Sequence, residues 1–218
     1  MWETIKCKMV FQEKLCGSVP LNKEIVKAWL QAREAPEDAE AEVMSTIEDI
    51  EEKMTLGFQK DEKGLFVRGG SFKAHIKDCA NQIKDIIKVK NLRSKVANKV
   101  FVDESRVYLR KNGSNIFEVD GSFDQPVHVI TNLGPRNALK TIQYVLQPTV
   151  EFHLKVLRGD KEINMEVLEA IFEYGSVHGF GGERGMGEGR YKYELERVGF
   201  TGRGGFENCC EMAWDGLK

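Results

Sequence analysis

The sequence predicts an α+β fold, a ferredoxin-like or RRM-like βαββαβ core with helical and β-hairpin insertions, and three stretches carry that expectation. Ile5, Cys7, Met9 and Phe11 alternate with Lys6, Lys8, Val10 and Gln12, a period of two that marks an opening strand within 4–16. Val150, Phe152, Leu154 and Val156 repeat the alternation after Pro148, and Val167, Leu168, Ile171 and Phe172 then set a helical pattern over 164–174. A last strand follows, with Tyr191, Tyr193 and Leu195 on one face. Strand, helix, strand, an insertion, then strand, helix, strand is the order of such a core.

Between these anchors the remaining elements follow in order. Asn22 suits the cap of a helix carrying Ile25, Val26, Trp29 and Leu30. After Pro36, Val43, Ile47, Ile50 and Met54 recur at helical spacing, so the insertion at about 34–56 reads as an amphipathic helix with an acidic outer face. Residues 56–67 read as a strand or hairpin turning at 61–64. Ser71 opens another helix, with Phe72, Ile76, Cys79, Ala80, Ile83, Ile86 and Ile87 as its apolar stripe. From 100 to about 140 short β runs and turns replace the helical period, and Asn112-Gly113 marks a hairpin turn within 108–119. The tail from Thr201 holds a second glycine group and no clear period.

At 218 residues and 41 % hydrophobic, the chain suits a single domain, 1–218, with one ordinary core. No apolar run approaches the roughly 20 residues that span a bilayer, and the first residues lack the zones of a signal peptide, so no membrane partner and a cytoplasmic location are expected. Five scattered cysteines without a Cys-x-x-Cys pair read as reduced thiols, with neither a metal site nor a disulfide framework.

The net charge of -2 argues against a nucleic-acid binder, but the charge is segregated. Residues 33–53 carry nine acidic side chains against two basic, net -7, whereas 60–111 carry fourteen basic against six acidic, net +8. A local basic surface on a near-neutral chain suits a polyanion-binding face on a protein that also packs against copies or partners.

The densest signal is residues 179–190, Gly-Phe-Gly-Gly-Glu-Arg-Gly-Met-Gly-Glu-Gly-Arg. Glycines at 181, 182, 185 and 187 let main-chain N–H groups approach an anion, and Arg184 and Arg190 add charge and bidentate donors. The spacing is neither that of a P-loop nor that of a dinucleotide fingerprint, so no nucleotide cofactor is expected. A second anion site is expected where Gly69 and Gly70 precede a helix opened by Ser71, with Arg68 before it and Lys73 and Lys77 one turn apart along it.

Residues 66–77, Phe-Val-Arg-Gly-Gly-Ser-Phe-Lys-Ala-His-Ile-Lys, resemble the Ile-Pro-Gly-Ser-Ser-Leu-Lys-Gly-Ala-Leu-Arg signature of the RAMP superfamily, the repeat-associated proteins of CRISPR effector complexes. Gly69, Ser71, Lys73 and the basic Lys77 match; Arg68 stands for the proline, Gly70 for the first serine and Ala74 for the second glycine. The 179–190 loop is similar to that family's carboxy-terminal glycine-rich loop, and the strand ending Leu15-Cys16-Gly17 to its first strand. The resemblance covers roughly 4–197.

What it implies is a backbone subunit that polymerises along a guide RNA and presents it to a complementary RNA or DNA target, among copies of itself and other effector subunits. The β insertion at about 100–140 would serve as a thumb, with Arg110 and Lys111 near the tip of its 108–119 hairpin. No catalytic residue is carried over, because the Gly-Gly-x-Asp pattern of the target-cutting relatives is absent and Asp38 and Asp49 fall in the acidic stretch. Two other classes stay open. A guide-processing endoribonuclease would draw on His75, His128, His153 or His178. A ferredoxin-like scaffold would bind no nucleic acid, and Tyr191 and Tyr193 are as compatible with a core position as with stacking on bases.

Overall fold

The computed structural model describes residues 1–21, 54–131 and 134–201. The helices expected at 22–30 and in the acidic stretch, and the glycine group after Thr201, lie outside the described residues.

Strand β1 (Trp2–Phe11) is central because its alternation gives it one wholly apolar face: Ile5, Cys7, Met9 and Phe11 are all buried. The opening strand does not run unbroken to Cys16 as expected. At Gln12–Glu13 the chain leaves the first sheet, and β2 (Lys14–Cys16) joins a second one. After β3 (Val19–Pro20) the described chain resumes at β4 (Met54–Gly57), and both belong to that second sheet. The expected hairpin follows as β5 (Gln59–Asp61) and β6 (Gly64–Arg68), in register Asp61 to Gly64.

Helix α1 (Gly69–Ile87) begins two residues before Ser71. Arg68 is its extended N-cap and supplies no side-chain cap, while the Gly69 N–H donates to Ser105 O at 3.0 Å. A Cβ on Gly69 would stand 2.0 Å from Glu104 O, so this glycine is required by packing of backbone on backbone. Lys88 and Asn91, both left-handed (φ 58 and 57), reverse the chain into α2 (Leu92–Lys99), a helix the sequence reading missed because only Leu92 and Val96 mark its buried side.

The chain then enters β7 (Val100–Val102), β8 (Arg106–Tyr108), β9 (Arg110–Lys111) and β10 (Ser114–Asn115). Asn112 (φ 51) and Gly113 (φ 82) turn β9 into β10 as expected. That hairpin is two residues per strand, however, and β9 is tied to the edge of β13 (Thr149–Leu157). The long ribbon lies further on, in β11 (Gly121–Thr131) and β12 (Gly134–Leu146), paired through eleven registered positions. Helix α3 (Met165–His178) starts at Asn164, whose side chain accepts from Val167 N at 2.9 Å, and runs a turn beyond the expected 174. Strand β14 (Tyr191–Thr201) closes the described chain.

The core strands lie in the order β14-β1-β13-β7, every neighbour antiparallel. Numbered as core strands this is 4-1-3-2, with α1 joining the first to the second and α3 the third to the fourth: the ferredoxin-like, RRM-like arrangement expected from the sequence. Both helices cover the face of Ile5, Met9, Phe152 and Leu154, and Phe72, Ile76, Leu168 and Phe172 fill the layer between. Tyr191 and Tyr193 are on this same side. Tyr191 is buried against Phe11 and His75, and Tyr193 packs on Phe172. No helix among the described residues is long and apolar enough to cross a membrane.

Candidate nucleic-acid interface

The glycine loop is folded mainly by its own glycines. Gly179 (φ 84), Gly181 (φ 89) and Gly189 (φ 75) adopt backbone conformations that L side chains rarely take, and a Cβ on them would stand 2.5, 2.7 and 2.0 Å from the carbonyl oxygens of Glu188, Cys16 and Phe180. Phe180 N–H donates to Gly189 O, Gly182 N–H to Cys16 O and Gly189 N–H to Lys14 O, each at 2.9 Å. The loop is thus stitched to itself and to β2. Gly185 differs: it is exposed and a Cβ there would meet open space. Gly187 (φ 87) ends the short 3-10 turn Arg184–Met186.

The structure brings the start of α1 and this loop together. Phe72 and Phe180 stack at 4.5 Å between ring centroids, nearly parallel at 12°. One turn along α1, His75 lies edge-on to Phe180, and a turn further Asp78 accepts from Arg184 Nη1 at 3.3 Å. Arg184 Nη1 also lies 2.9 Å from His178 Nε2, on the last residue of α3. Gly70 and Ser71 are exposed beside Phe72, and the first-turn N–H groups have no acceptor within the helix.

The row formed by Lys73 and Lys77 lies on the other flank. Lys73 Nζ donates to Val96 O and Ala97 O at 3.1 and 2.8 Å, closing the carboxyl end of α2, and sits 4.3 Å from the Phe101 ring centre. Burial, with Lys77 one turn away, lowers its pKa to about 8. Lys73 therefore holds the fold, whereas Lys77 pairs with no carboxylate among the described residues. Arg68 Nε donates to Gln59 Oε1, and Arg110 and Lys111 lie on the sheet edge near Glu151 and Asp120. Arg190 is exposed at the loop's end, with its main-chain oxygen accepting from Gln12 N.

Between the loop and the base of the ribbon is a groove of about 530 Å³, lined by Ser18, Leu56, Lys140, His178 and residues 181–185. Lys140 stands on β12, and its ammonium is ion-paired with Glu183 of the loop. Gln125 Nε2, across the ribbon from Lys140, reaches Met186 Sδ at 3.5 Å, so the ribbon also touches the 3-10 turn. Lys140 is not legible in the sequence as a site residue, because nothing in the order of residues shows that the ribbon base returns to the loop.

Of the histidines, His75 is buried with Nε2 at 2.9 Å from the Tyr191 hydroxyl, in space left by Gly175. Burial, reinforced by Arg184, lowers its pKa to about 4, so it is a neutral structural group at pH 7. His153 Nδ1 is 2.6 Å from Glu104 Oε1 on the opposite face of the sheet. His178 alone of these three lines the groove. The open sheet face, where RRM proteins stack bases on aromatic rings, instead carries Lys6 with Glu151 and Lys8 with Glu194 in pairs across strands, at 3.5 and 3.2 Å.

No protein-family model matches the chain, and no curated protein does. Among solved structures, a chain of a type IV-B CRISPR complex superposes with a TM-score of 0.49 at 9 % identity, over 97 % of this chain and 100 % of that one, a likeness that assigns neither family nor function.

Proposed function

We propose that this protein binds RNA by its phosphate backbone, without reading sequence, and assembles in several copies along it as a non-catalytic subunit of a CRISPR-type ribonucleoprotein. The ligand is a guide RNA. Its partners are a complementary RNA or DNA strand, copies of the same chain and other effector subunits.

One observation carries this reading: the two stretches that resemble RAMP motifs, more than a hundred residues apart in sequence, meet through Phe72 and Phe180 on a core of the matching strand order. Their meeting sets the exposed first turn of α1 beside a loop that presents Arg184 and the open main chain at Gly185. A helix amino terminus and an adjacent guanidinium suit consecutive phosphates. The endoribonuclease reading gains little, since His75 and His153 are both held by internal partners.

The test is the RNA content and mass of the purified protein, by absorbance ratio, extraction and light scattering, for wild type and for Ser71→Glu with Arg184→Glu. A carboxylate at position 71 suits the helix dipole, so the fold is retained, while it repels phosphate. RNA of defined length in a multi-copy particle, lost in the double variant, is the expected outcome. An RNA-free monomer that takes up none at low salt overturns the proposal in favour of the scaffold.

A further inference from the structure

Five positions in the glycine loop have positive φ, and four of them are glycine. The fifth is Glu183, at φ 55, ψ 27. A γ-extended L side chain gains nothing locally from that conformation, which glycine or asparagine adopts at less cost. What Glu183 does gain lies across the groove. Its carboxylate takes the ammonium of Lys140 in an ion pair whose two side chains are only 11 % and 21 % exposed, although both line an open cavity.

The neighbouring cation is treated alike, since Arg184 is held by Asp78 and by His178. The groove is thus lined by two positive groups, Lys140 from the ribbon and Arg184 from the loop, together with Ser18 and the glycines of 181–185. Each is matched by an internal acceptor. An anion entering the groove meets Lys140 only by exchange with a carboxylate already in place.

We propose that this groove is a phosphate seat in which the Glu183 carboxylate occupies the place of an RNA phosphodiester, with Lys140 the phosphate ligand uncovered when RNA displaces it. The inference rests on the RNA-binding reading above and adds to it a residue and a threshold. A single phosphate competes poorly with a tethered carboxylate. A strand whose neighbouring phosphates are held at the α1 turn and at Arg184 presents the competing phosphate at high local concentration and wins. Glu183 thereby favours continuous RNA over short fragments and free phosphate.

The experiment is fluorescence anisotropy with a labelled 20-nucleotide polyuridine at several salt concentrations, on wild type, Glu183→Gln, Lys140→Gln and the double variant, each checked by thermal melting. Glu183→Gln is expected to bind about threefold to tenfold tighter and to steepen the salt dependence by about one released counterion, and Lys140→Gln to weaken binding by a similar factor. In the Lys140→Gln background, Glu183→Gln is expected to tighten binding by clearly less than it does in wild type. Glu183→Gly, which suits the left-handed conformation, serves as a second variant should the glutamine perturb the loop, and is expected to bind tighter as well. Wild type that binds while both Glu183 variants bind no tighter, or additive effects in the double variant, overturns this inference alone. Wild type that binds no RNA overturns it together with the reading beneath it.

Discussion

His75 illustrates how a residue that reads as chemistry in the sequence becomes architecture in the fold. It sits inside the motif that resembles an RNA-binding signature, yet its ring is buried among Phe180, Tyr191 and Cys79. Its pKa falls from the ordinary 6.5 to about 4, so the unfolded chain binds a proton that the folded chain does not between those values. Stability therefore declines as pH falls from 6.5 towards 4, by up to about 3 kcal/mol from this group. Urea denaturation of wild type and His75→Gln across that range is expected to give a smaller acid loss in the variant; parallel curves would refute the assignment. The spacing of Lys73 and Lys77 was legible as one face of a helix. That Lys73 closes the end of α2 was not, because α2 itself has too few apolar positions to announce itself.

At the scale of the element, the glycine loop was legible as a loop but not for the right reason at every glycine. Phosphate approach explains glycine where the main chain is open, and only Gly185 answers that description. Gly189 is demanded by Phe180 O and Gly181 by Cys16 O, contacts that exist only once β2 has crossed to the second sheet. Gly189→Ala is accordingly expected to cost about 2–4 kcal/mol, whereas Gly185→Ala costs well under 1 kcal/mol. Thermal melting of the two variants checks the contrast, and RNA binding by Gly185→Val, with its bulk over the open main chain, is expected to weaken without loss of stability. The ribbon shows the opposite failing. An Asn-Gly turn marks 108–119 in the sequence, but the longer pairing at 121–146 carries no Asn-Gly or Asp-Gly turn and is set by its register against β4 and β2.

For the whole molecule, strand order was the part best encoded, because strict alternation in β1 and β13 leaves one face that only two helices can cover. Alternation also decides what the other face does. Its cross-strand pairs neutralise one another, so RNA is expected on the loop side and not on the sheet. Substituting Lys6→Ala with Lys8→Ala is expected to leave the amount of bound RNA unchanged, by extraction from the purified protein; loss equal to that of the Ser71→Glu, Arg184→Glu double variant would transfer the interface to the sheet. These two sheets share no strand among the described residues, and the chain passes between them at Gln12–Glu13 and again at Gln147–Pro148. At the first of these the loop donates to Lys14 O and Cys16 O, while Gln12 N–H donates to Arg190 O. Three main-chain bonds thus fasten the loop across the first point where the chain changes sheets. If copies of the chain assemble as proposed, tension applied to the ribbon would reach the loop through this seam, and strain there would register at the groove.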